Sequence, residues 1–95
     1  MHFKVNRATV KVTSHDGIVT IKVTSDQSNA CGEHRVNNWP THPGAECCDA
    51  IPVEKYIETV RQHIMTAVKK CDETLFTREQ LVASLRLHYP ALGNI

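Results

Sequence analysis

The sequence predicts an α+β fold, a β-hairpin and a cysteine- and histidine-rich loop followed by two antiparallel helices. Three observations predict it. Apolar and polar residues alternate along two runs before residue 25, Asp16-Gly17 separates those runs, and from Pro52 the apolar residues recur at spacings of three and four.

The hairpin is expected over residues 1–25. Val10 and Val12 alternate with Lys11 and Thr13, and Val19, Ile21 and Val23 alternate with Thr20, Lys22 and Thr24. With Asp16-Gly17 as a two-residue loop, residue 15 faces 18, Val12 faces Ile21 and Val10 faces Val23, which collects the apolar side chains on one face. Phe3 and Val5 fall on the opposite parity, and a bulge near Asn6 would return them to the core. Two strands alone are marginally stable, so either a third short strand within His34 to Trp39 or pairing with a second copy is expected. The unpaired edges favour a homodimer.

The first helix is expected over 52–73. Val53, Tyr56, Ile57, Val60, Ile64, Ala67, Val68 and Cys71 form one apolar stripe, Pro52 suits the first turn, and Glu54 and Lys69-Lys70 match the helix dipole. A second helix is expected over 77–89. Thr77-Arg78-Glu79-Gln80 is a capping-box pattern, Phe76 can staple onto Leu81, and Leu81, Val82 and Leu85 face inward until Pro90 and Gly93 end it.

The chain has 95 residues, enough for one small domain with a thin folding margin. Its 41% hydrophobic content suits a soluble protein, and no stretch approaches the roughly 18 apolar residues that span a bilayer. Met1 to Arg7 lacks the pattern of a secretory signal, which favours the cytoplasm. A net charge of +1 gives no general attraction to nucleic acid or membrane.

Between the hairpin and the first helix, residues 26–51 hold Cys31, His34, His42, Cys47 and Cys48. Thiolate and imidazole are the ligands of tetrahedral zinc, and Pro40, Pro43 and Gly44 allow a loop to bring them together. The expected set is Cys31, His34, His42 and Cys47, with Cys48 as the alternate, holding a structural zinc with no open position. Reduced buried cysteines or a disulfide from Cys31 to Cys47 or Cys48 account for the same residues. Cys71 belongs to the helix stripe, and His2, His15, His63 and His88 read as surface or boundary residues. A thiol enzyme would pair Cys48 with His34 or His42, yet no oxyanion element, phosphate-binding glycine loop or carboxylate pair accompanies them.

Two binding features stand apart from the loop. Arg7, Lys11 and Lys22 fall on the outward side of the hairpin, with Lys11 directly opposite Lys22, an arrangement that an anion such as a phosphate backbone would relieve. Trp39 is either core or a partner anchor. Phe76 to Leu85 resembles the opening of a helix in small helical DNA-binding domains, over ten residues only. The expectation from these residues is a non-enzymatic binding or regulatory module with a zinc staple. Another protein is its expected target, and nucleic acid is the alternative.

Overall fold

Three short reversals fold the first 36 residues into a four-stranded antiparallel meander of β1 (His2–Val5), β2 (Ala8–His15), β3 (Ile18–Ser25) and β4 (Cys31–Val36), in that spatial order. The structure, a computed structural model, describes residues 1–40 and 51–92. The central hairpin has the expected register, with His15 opposite Ile18, Val12 opposite Ile21 and Val10 opposite Val23. Asp16 and Gly17 both have left-handed φ, 51° and 78°, the geometry that a two-residue turn matched to strand twist requires.

The expected bulge at Asn6 is instead a turn. Asn6 adopts φ 52°, Val5 pairs with Ala8 and Phe3 pairs with Val10, so residues 1–25 contain two hairpins rather than one. A two-residue loop shifts the inward parity from odd to even, and Phe3 and Val5 join Val10 and Val12 in the core.

The expected loop over 26–51 also gives way, in its first part, to a strand. Asp26 to Ala30 form the link, in which the Ser25 hydroxyl accepts the Gln27 and Ser28 N–H groups at 3.3 and 3.4 Å and Asn29 takes φ 55°. β4 then pairs with β3 from Cys31 opposite Thr24 to Val36 opposite Val19. It begins three residues before the third strand expected from sequence.

Helix α1 covers Val53–Lys69 and α2 covers Arg78–Leu92. Tyr56, Ile57, Val60, Ile64, Ala67 and Val68 of the expected stripe are buried. α2 opens with the full capping box, the Gln80 N–H donating to Thr77 Oγ1 at 3.1 Å and the Thr77 N–H to Gln80 Oε1 at 2.9 Å. It does not stop at Pro90. That proline lies in the last turn, where its missing N–H removes a single helical bond, and Leu92, 1% exposed, anchors the turn in the core.

α1 packs on β3 and β4, and α2 packs on β1 and α1. The helices are antiparallel, with the Arg86 guanidinium donating to both Glu54 carboxylate oxygens at 2.6 and 2.7 Å and Arg78 meeting Glu58 at 3.5 Å. The contact of α1 with β4 depends on Gly32, where a Cβ atom would lie 2.0 Å from the Ala67 carbonyl oxygen. Both helices therefore cover one face of the sheet, and among the described residues no element covers the other.

Candidate functional site

Two groups of side chains emerge from this arrangement, one on each face of the sheet. On the outward face the strand register aligns His2, Lys11, Lys22 and Glu33 in a single row across all four strands. The neighbouring rows place Thr9 opposite Thr24 and Thr13 opposite Thr20, so hydroxyls flank the two lysines on both sides. Lys11 and Lys22 are exposed and have no ion-pair partner among the described residues.

The acids on this face are committed elsewhere. Asp26 holds Lys4 and accepts the Thr9 hydroxyl at 3.1 Å, and its carboxyl is lowered first by the Lys4 contact. Glu33 meets Arg35 at 3.5 Å. Farther along, His15, Ile18, Thr20 and Arg35 line a shallow concavity in which Ile18 is 40% exposed.

Arg7 does not join this row. It lies in the β1–β2 turn beside Asp72, whose carboxyl is lowered chiefly by the Thr74 hydroxyl and N–H and to a smaller extent by Arg7. Four residues of strand, about 13 Å, separate it from Lys11.

On the covered side, at the β4 edge, three rings meet. His34 projects toward α1, since its partner across the sheet is the buried Ile21, and its ring centroid lies 5.6 Å from that of His63. The Trp39 ring lies 6.1 Å from His63 on the same helix. Beside Trp39, Tyr56 is fully buried, and neither its hydroxyl nor Trp39 Nε1 has a hydrogen-bond partner among the described residues. Burial raises the Tyr56 phenol above its usual value, an effect the adjacent Trp39 indole offsets in part.

Burial lowers both histidines. The nearby Lys70 ammonium adds to the effect at His34, and His34 itself adds to it at His63. The folded state therefore binds fewer protons here than the unfolded chain, whose histidines titrate near 6.5. Stability should hold above pH 6.5, fall as the pH drops below it, and level off once the pH has passed the lowered folded values. We expect urea midpoints measured from pH 7.5 to 5 to decline, and the decline to shrink in His34→Gln/His63→Gln.

Of the expected zinc ligands, Cys31 and His34 are described, and the structure does not bring them together. Three residues apart on a strand, they project from opposite faces, Cys31 outward and His34 toward the helices. His42, Cys47 and Cys48 lie outside the described residues. No group of three or more metal-binding side chains occurs among the described residues. Trp39 is partly buried against the core. Cys71 is partly buried, with its thiol pushed up by burial and then by Asp72 and Cys31, which disfavours the nucleophilic thiolate.

His63 is the residue that sequence reasoning passed over. It flanks the α1 stripe without belonging to it, and nothing in its local spacing ties it to His34, which lies 29 positions earlier on another element. Among the described residues no helix is long and apolar enough to cross a membrane. Comparison of the chain with protein-family models, curated proteins and solved structures found no match.

Proposed function

We propose that the protein is a non-enzymatic binding module that engages another protein through the open face of its sheet. The observation that carries this reading is the Lys11–Lys22 pair. Two like charges placed directly across a strand pair disfavour the fold, and an acidic group bound between them would relieve that repulsion. The four flanking threonines supply neutral hydrogen-bonding groups, and the exposed Ile18 beside Arg35 supplies an apolar contact at one end. A mixed surface of this kind suits a protein carrying a carboxylate or phosphate.

Nucleic acid is a poorer fit on magnitude. Lys4 and Arg35 are already paired, leaving two free lysines on the face, and two phosphate contacts correspond to a logarithmic salt slope of only about −1.8 on duplex DNA. Specific and even non-specific DNA binders commonly neutralise several more phosphates.

The test is charge reversal. Lys11→Glu places opposite charges across the strand pair, so this variant should melt slightly higher than wild type while losing its partner. Crosslinking in extracts of the source cells, with wild type and Lys11→Glu/Lys22→Glu side by side, should show one defined protein retained by wild type alone. Equal capture by both would refute the reading. Loss of wild-type capture on nuclease treatment, with a salt slope steeper than about −4, would transfer the function to nucleic acid.

A further inference from the structure

We propose that the group bound between Lys11 and Lys22 is a phosphorylated serine or threonine side chain of the partner protein. This rests on the reading of that face as a protein-docking surface and names the chemistry it takes. A flat sheet offers no cradle for a single side chain, but here the β3–β4 link forms a wall beside the lysine row. His2, Lys11 and Lys22 on the strands, Thr24 in the row between, and Asp26 and Asn29 on the link line a concavity of about 380 Å³, large enough for a phosphate group together with the backbone that carries it. The wall is fixed by its own backbone, the Ser25 N–H donating to the Ala30 carbonyl oxygen at 2.8 Å and the Asn29 N–H to the Ser25 carbonyl oxygen at 3.2 Å.

Charge favours phosphate over carboxylate. Asp26, the acid in the lining, is held by Lys4 and Thr9, and Glu33, the next residue after Lys22 in the row, meets Arg35. Two positive charges are left without a partner among the described residues. A carboxylate would balance one of them. A phosphate monoester carries about −1.5 to −2 at neutral pH and balances both. Its three terminal oxygens can also accept from both ammonium groups, the Thr24 hydroxyl and the Asn29 amide at once, more donors than two carboxylate oxygens use well.

The lining narrows what carries the phosphate. It contains no Val, Leu, Ile, Met, Phe, Tyr or Trp. A nucleotide base finds no stacking platform there, a membrane no apolar wedge, and a phosphotyrosine ring nothing to pack on, which leaves the short phosphoesters of serine and threonine.

The experiment is a titration of the full chain, followed by two-dimensional amide NMR, with a short blocked peptide holding one phosphoserine and with its serine and glutamate counterparts. The phosphopeptide should shift the amide signals of Lys11, Lys22 and Thr24 saturably, and the glutamate peptide should bind about tenfold more weakly or less. Lys11→Gln and Lys22→Gln should each weaken phosphopeptide binding by a similar factor. Both variants remove one of two opposed like charges, so they should fold at least as well as wild type. Equal binding of the glutamate peptide, wild-type affinity in either variant, or no saturable shift would overturn the proposal. So would sedimentation of wild type, but of neither variant, with phosphatidylcholine vesicles containing phosphatidylinositol bisphosphate at an affinity above that for the peptide, which would assign the face to a lipid headgroup. In the extract crosslinking, prior phosphatase treatment should abolish capture by wild type. Capture that survives phosphatase and is still lost in Lys11→Glu/Lys22→Glu would keep the docking face and reject the phosphate.

Discussion

Gly32→Val should destabilise the protein by about 3 kcal/mol or more. A Cβ at this position would lie 2.0 Å from the Ala67 carbonyl oxygen and 3.1 Å from its carbonyl carbon, both backbone atoms of α1 that no rotamer change can move aside. The helix would have to lift off β4, separating Ala67, Val68 and Ile64 from Val23 and Val36. Overpacking a core commonly costs about 1 to 3 kcal/mol, and a clash with backbone belongs at or above the upper end of that range. Against a folding margin of about 5 to 10 kcal/mol for a chain of this size, that loss is a large share of the total and should appear as a large drop in the urea midpoint. Gly17→Ala supplies the contrast. Nothing lies within 4 Å of a Cβ there, so only the strain of φ 78° applies, about 1 kcal/mol. Circular dichroism with urea melts should therefore separate the two glycines clearly. Equal effects at both would show that the close approach of α1 to β4 is not needed for folding.

Leu85→Ala should destabilise by about 3 kcal/mol, while Leu87→Ala two residues away should change stability by less than about 0.5 kcal/mol. Leu85 is fully buried, and with Leu81 and Leu92 it makes up the buried side of α2. Leu87 is 75% exposed on the same helix. Apart from the leucines, α2 meets the rest through the His88 ring, stacked on Phe3 at 5.2 Å, the partly buried Val82 and a few exposed polar contacts. Its ion pairs to Glu54 and Glu58 are exposed and add little, and Ser84 Oγ donates to the Lys4 carbonyl oxygen at a long 3.4 Å. The three buried leucines therefore carry most of the attachment of α2 to β1 and α1. A fall in the urea midpoint with an unchanged m-value would place the whole effect in the native core, and near-equal midpoints for the two variants would contradict it.

Both large effects arise at close contacts between elements, and here local pattern carried different amounts of information in different places. The α1 stripe from Tyr56 to Val68 was legible because a helix repeats its face every three or four residues, so burial leaves a periodic trace within one segment. The Val12–Ile21 register was legible because Asp16-Gly17 specifies a turn of two residues, and turn length sets register. The capping box at Thr77 and Gln80 is equally local. Asn6-Arg7 was harder to read. Asn reaches left-handed φ without the strong signature of an Asp-Gly pair, so the turn that rescues Phe3 and Val5 resembled a bulge.

The candidate sites divide along the same line. Lys11 opposite Lys22 followed from the hairpin register, which alternation and one turn dictate within about 15 residues of chain. Arg7 failed to join them because a side chain in a turn does not inherit the facing of the strand that follows. Cys31 and His34 looked like a chelating pair while their segment was read as a loop, and the strand sent them to opposite faces, since odd spacings in a strand always do. His63 became a neighbour of His34 only when α1 crossed β4 over Gly32. Properties that repeat within one element were written in the amino-acid order, because each depends on backbone geometry over a few adjacent residues. Proximity between elements required the packed fold, because the angle and depth at which α1 meets β4 come from side-chain volumes contributed by distant parts of the chain.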